Sequence, residues 1–182
     1  MSSKTIIDTV EMVVGDKLAH YSAAHSLLIA MLISDPYTFE HSRRVSQQSK
    51  AFAEWLHLES ELVTAIYYGS LLHDIGKLAI NDRVLNKRGK LSQDEYEYVK
   101  THPLLGEQIL RPLQLSETIL NIVRHHHERW DGYGYPMKLA EKQIPFEARL
   151  VCIIDAFDAM MVKRPYLKRN MTIEKQLQWL QH

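Results

Sequence analysis

A histidine and an aspartate stand side by side at the end of an apolar run, Leu71-Leu72-His73-Asp74-Ile75-Gly76-Lys77, near the middle of this 182-residue chain. Imidazole and carboxylate both ligate borderline divalent metals, and a carboxylate has two oxygens with which to bridge a pair of ions. Lys77 adds a positive charge where a phosphate could dock. Alone, such a pair is more often a surface contact or a helix end. Here it has company: His41 in Glu40-His41-Ser42-Arg43-Arg44-Val45, His102 in Thr101-His102-Pro103, a triplet His125-His126-His127, and Asp155 in Ile153-Ile154-Asp155-Ala156-Phe157-Asp158. Six of the ten histidines thus fall in or beside segments with apolar flanks, which a solvated surface does not explain.

The apolar residues recur at helical spacing, and no run alternates with period two over strand length, so the expected fold is an all-α multi-helix bundle. Residues 1–33 are read as an N-terminal helical extension offering core or dimer surface, with Ile6, Val10, Val13, Leu18, Leu28 and Met31 at that spacing over 4–33, broken at Gly15. His20 and His25 are placed on its polar face. After the turn at Asp35-Pro36, a helix from Thr38 to about Leu56 should carry His41 in its first turn and point Val45, Ala51, Ala53 and Leu56 inward. Ser60 should cap a helix running to His73. Gly76 should let the chain turn closely beside the site and bring backbone near a ligand. Ser92 and Glu95 form a capping-box pattern. Pro103 marks another helix start, and Ser116 caps a helix ending in the histidine triplet. Residues 130–143 read as an irregular, glycine-bearing loop, followed by a long helix from about Pro145 to Met161 and a terminal helix capped by Thr172.

Lysine plus arginine and aspartate plus glutamate balance at 22 each, so net charge gives no argument for a nucleic-acid polymer or an anionic membrane as partner. Cys152, the single cysteine, lies in an apolar run and is read as core; no disulfide framework is available. No signal-peptide pattern opens the chain, and no run approaches the ~18 apolar residues of a membrane span. The expectation is a cytoplasmic protein.

Five motifs occur in order: His-x-x-x-Val at His41, His-Asp-Ile-Gly-Lys at His73, His-Pro at His102, His-His-Glu-Arg-Trp-Asp-Gly-x-Gly-Tyr-Pro from His126, and Asp-Ala-Phe-Asp-Ala at Asp155. From about Asp35 to Tyr166 the chain resembles the HD-GYP subgroup of the HD metallophosphohydrolases, with residues 34–182 as that domain. The resemblance implies two divalent ions, iron or manganese: one on His41, His73, Asp74 and Asp155, the other on His102, His126 and His127, with Asp74 bridging. Such an ion pair can share and acidify a water for attack on phosphorus, so no protein nucleophile is required. The implied activity is hydrolysis of cyclic di-GMP to linear pGpG and, on further cleavage, GMP. Asp74 and Lys77 are the catalytic candidates, and Lys77, Tyr135, Arg164 and Lys168 the substrate contacts.

Spacing alone does not decide between His125 and its two successors, nor between Asp155 and Asp158; the family pattern takes His126, His127 and Asp155. Leu167 stands where the family places a basic residue, and the sequence stops before a Gly-x-x-Phe-Asp-Pro stretch such domains carry, so the domain reads as cut short. Tyr37 occupies the place of a glutamate that serves a third ion in some members, which favours two ions over three. Two other functions stay open: an HD phosphohydrolase acting on other nucleotides, and a weakly catalytic module that senses the dinucleotide or docks a signalling protein through the Gly-Tyr-Pro loop.

Overall fold

The computed structural model describes residues 22–161, and among these the secondary structure is helical with no strand. Helix α1 (Ser22–Ser34) is followed after one residue by α2 (Pro36–Trp55). The Asp35 side chain caps α2 by accepting from the Thr38 N–H at 3.0 Å, and Pro36 fits the first turn because its missing N–H is not needed there. Helix α3 (Ser60–Leu72) leads through a 3-10 turn (Ile75–Ala79) into the short α4 (Asp82–Leu85). Then come α5 (Gln93–Val99), α6 (His102–Leu110), α7 (Glu117–His125) and α8 (Phe146–Met161). The Ser92–Glu95 capping box and the Ser116 cap form as expected.

Three local expectations need correction. Because α2 begins at Pro36, His41 lies in its second turn. Its buried stripe is Thr38, Phe39, Ser42, Val45, Ser46, Ser49 and Ala53, whereas Ala51 and Leu56 face outward. The small serines keep one face narrow, so α3 packs closely against it. Ser60 does not cap α3; the N-cap is Glu59, and Ser60 already belongs to the first turn.

Helix α3 is the axis of the bundle, packed between α2 and α7. Its far end contributes Leu71 and Leu72 to a core with Leu28, Met31, Phe39, Leu110 and Val123; its middle contributes Ile66 to a second core with Val45, Ile122, Leu150 and Val151. Helix α1 joins the first core through Ala24, Leu28 and Met31, so this part of the N-terminal stretch packs with the bundle. His25 is half-buried there, because α1 is apolar on most sides. Cys152, expected in the core, is also only half-buried. No helix among the described residues is long and apolar enough to cross a membrane. His20, Arg164, Lys168 and the helix expected after Thr172 lie outside the described residues.

Gly76 is required for a reason other than ligand approach. A Cβ there would lie 1.9 Å from the His102 carbonyl oxygen and 2.5 Å from the Gly106 nitrogen, so the 3-10 turn rests on the backbone of α6. This contact sets the distance between the His73-Asp74 corner and His102. Gly76→Ala should therefore cost about 3 kcal/mol, since backbone atoms cannot swing aside. Thermal unfolding checks this, and an unchanged midpoint would show that α6 can retreat freely.

Candidate metal centre

The candidate ligands sit at helix ends, where side chains from separate elements can converge. His73 is the C-cap of α3, Asp74 leaves that helix, His102 opens α6, and His126 is the C-cap of α7. His41 and Asp155 come from the sides of α2 and α8. His73, Asp74, His102 and His126 are each no more than 1 % exposed.

Three of the imidazoles are fixed in the same way. Nδ1 of His73 donates to the Ser70 carbonyl at 2.6 Å, that of His102 to Val99 at 2.8 Å, and that of His126 to Val123 at 2.9 Å. A carbonyl only accepts, so each Nδ1 carries a hydrogen and each ring turns Nε2 toward the interior. Burial pushes the His73 imidazole below its ordinary range. Burial and the neighbouring His127, His73 and His102 push His126 well below it. Burial, reinforced by His102, lowers His127 to about 3. Neutral imidazole is the ligating form.

Asp74 stands between them. Its Oδ1 lies 3.3 Å from His102 Nε2, and its Oδ2 lies 3.4 Å from His73 Nε2 and 2.6 Å from Lys77 Nζ. Burial would raise its pKa, but Lys77, His73 and His102 outweigh that and hold the carboxyl well below its usual range. Oδ1 is nonetheless buried without a hydrogen bond, and His102 Nε2 also faces His126 Nε2 at 3.3 Å. Acceptors thus converge on one small volume. A single proton on His102 could serve one of them; a cation serves all.

Two groups result. Ligand atoms of Asp74, His102, His126 and His127 lie within 4.8 Å of one another, and so do those of His41, His73 and Asp155. His41 Nε2 faces Asp155 Oδ1 at 2.9 Å while its Nδ1 meets Asp158 Oδ2 at 2.7 Å. With only a proton available, burial is overcome by both aspartates and the His41 pKa rises to about 9. The donor set, imidazoles plus carboxylates with one buried oxygen unpaired, fits divalent ions.

The ambiguities of the sequence separate here. His125 turns away toward Glu128, 3.8 Å from it, and belongs to neither group. Asp158 is committed to His41 and Arg44. Tyr37 is 49 % exposed, and Glu40 pairs with Arg43 at 2.9 Å. The Tyr135 ring packs on His127 with centroids 4.8 Å apart, and burial raises its phenol above the ordinary range. Lys100 Nζ lies 5.3 Å over the same ring. Lys100 has no signal in the sequence beyond its place two residues before His102.

Glu128 is likewise inconspicuous in the sequence. It is 1 % exposed, and its carboxylate accepts from the Met137 N–H at 2.6 Å and the Leu139 N–H at 3.0 Å. Gly134 lies so close to Glu128 Cα and the His127 carbonyl that a Cβ would come within 2.5 and 2.6 Å of them. Together they fold the loop back over His127 and place Tyr135. A glutamate followed by arginine and preceding a polar loop looks solvated in sequence; only its burial and its amide partners nine and eleven residues on reveal the role.

The family model described as the HD domain matches residues 26–182. This chain belongs to the HD-domain family. His73-Asp74 is the pair that names it, and the surrounding motifs are those of its HD-GYP subgroup. Among relatives of this HD domain is a cyclic di-GMP phosphodiesterase of Pseudomonas aeruginosa, 41 % identical over 162 residues covering 88 % of this chain and 39 % of the relative. Another is a cyclic di-GMP phosphodiesterase of Thermotoga maritima, 42 % identical over 137 residues covering 72 % of this chain and 36 % of the relative. The chain thus spans under two fifths of the length of either. The HD domain of the phosphodiesterase PgpH of L. monocytogenes, solved with cyclic-di-AMP, superposes with a TM-score of 0.61 at 21 % identity, over 85 % of this chain and 80 % of that one, and supports the fold.

Glu128→Ala should leave the Met137 and Leu139 amides without their carboxylate acceptor and cost about 2 kcal/mol. Amide hydrogen exchange should accelerate at Met137 and Leu139 before any other part of the loop. Unchanged protection at both would show that the carboxylate does not hold the loop.

Proposed function

We infer that this domain is a metal-dependent cyclic dinucleotide phosphodiesterase, with cyclic di-GMP as substrate and linear pGpG as first product, GMP following on further cleavage. The observation that carries this is Asp74, one buried carboxylate whose two oxygens address two separate imidazole groups. The two relatives at 41 and 42 % identity support the substrate. His41, His73, Asp74 and Asp155 would hold one ion, and Asp74, His102, His126 and His127 the other. Iron and manganese both suit this donor set. Bound there, divalent ions neutralise phosphoryl charge and acidify a water at neutral pH.

The remaining roles belong to side chains. Lys77 reaches Asp74 Oδ2 beside His73, which holds its ammonium at the rim of the candidate site, where it would meet a non-bridging phosphate oxygen. Tyr135, held on His127, walls the side of the site where a nucleoside would lie. Arg164 and Lys168 would supply further phosphate contacts. Opening one phosphodiester by water leaves a 5′-phosphate and a 3′-hydroxyl, and the proton removed from water ends on the 3′ oxygen.

A second reading, a module that docks a signalling partner through the Gly-Tyr-Pro loop, is favoured by the exposure of Trp130, Tyr133 and Met137 on that loop. The outward Ile33 of α1 would suit pairing of two chains. On the first reading residues 34–182 form the phosphohydrolase unit, with the preceding helix packed as a support.

Metal-loaded, anaerobically purified protein should hydrolyse cyclic di-GMP. Asp74→Ala should remove bound metal and turnover together, and Lys77→Ala should keep the metal and slow turnover by about 10²-fold. Full metal occupancy in Asp74→Ala would contradict the bridging role. Cleavage of a simple phosphodiester as fast as cyclic di-GMP would contradict the substrate, and metal-replete protein that binds the dinucleotide without cleaving it would favour the module.

A further inference from the structure

Arg44 and Asp158 belong to neither ligand group, yet they meet beside one of them. His41 and Arg44 are three residues apart on α2, and Asp155 and Asp158 three apart on α8, so each pair shares a helix face. The two faces meet as rungs: His41 Nε2 to Asp155 Oδ1 at 2.9 Å, and Arg44 Nε to Asp158 Oδ1 at 2.8 Å. A diagonal crosses between them, His41 Nδ1 to Asp158 Oδ2 at 2.7 Å, and Arg44 Nη2 reaches the same oxygen at 2.9 Å. Asp158 is 2 % exposed and accepts three hydrogen bonds, two of them from one guanidinium.

We propose that Asp158, clamped by Arg44, is a positioning residue for the His41 half of the centre alone. It holds His41 with its hydrogen on Nδ1, so that Nε2 and Asp155 turn to one ion, and it has no grip on the group at His102, His126 and His127. The inference rests on the binuclear reading above. His73, His102 and His126 take their orientation from a backbone carbonyl three residues back, which no side-chain change can remove. His41 is held by a carboxylate instead. An ionised acceptor makes the opposite ring nitrogen a stronger donor to a cation than a carbonyl does. Arg44 in turn occupies both oxygens of Asp158, which keeps this second carboxylate from competing with Asp155 for the ion. The two halves of the centre are therefore built differently, and one can be weakened without the other.

The test is titration of Co2+ into the metal-free full chain, with the two binding events resolved by calorimetry and by visible absorption of the bound ion. In Asp158→Asn one event should weaken about 10–100-fold while the other stays within about twofold. His102→Ala should weaken the other event, and the double variant both. Arg44→Gln, at a side chain that is 30 % exposed, keeps Asp158 but removes its clamp. It should weaken the same event as Asp158→Asn, and it carries the test if the aspartate variant does not fold. A wild-type chain that binds two ions whose affinities are unchanged, or equally reduced, in these variants overturns this inference alone. A wild-type chain that takes up no Co2+ overturns the binuclear reading with it.

Discussion

Buried acceptors that face one another are the constraint on which this molecule depends. His126 Nε2 and His102 Nε2 are 3.3 Å apart, Asp74 Oδ1 is equally close to His102, and that oxygen has no hydrogen bond. Left alone, such a cluster costs several kcal/mol in lost solvation. The helices nevertheless hold it together, because the hydrogen on each Nδ1 is committed to a carbonyl and the rings cannot turn to relieve it. A fold that keeps acceptors in this arrangement is preorganised for cations.

The bundle achieves this by bringing helix ends together rather than helix faces. Gly76 lets the turn after Asp74 touch the backbone of α6, and Gly69 leaves room for Ile122, whose side chain would come within 2.5 Å of a Cβ there. The close approaches of the 3-10 turn to α6 and of α3 to α7 place His73, His102 and His126 within one site, while α2 and α8 add His41 and Asp155 from the side. Glu128 then folds the Gly-Tyr-Pro loop across the opening, which leaves Tyr135 against His127.

Much of this was legible in the sequence, for identifiable reasons. Helical spacing of apolar residues gave the bundle, and capping at Ser92 and Ser116 gave two helix starts, because those signals are local. The stripe on α2 was misplaced because it is built from serines, which hydropathy treats as surface. Ser60 was misread as a cap because Glu59 precedes it at the true boundary. The seven ligand candidates followed from motifs, yet His125 and His126, or Asp155 and Asp158, differ only in direction. Direction is fixed by tertiary contacts: Val123 for His126, and Arg44 for Asp158. Glu128 and Lys100 escaped for the same reason, since their partners lie on other segments.

Anomalous diffraction from crystals grown with Mn2+ tests the cation-organised centre most directly. Two peaks about 3.5–4 Å apart are expected, one on each side of Asp74, with a different oxygen of that carboxylate directed to each. One should touch His41, His73 and Asp155, the other His102, His126 and His127. A single peak, a third peak touching Tyr37 or Glu40, or metal bound at His125 or Asp158 would contradict it.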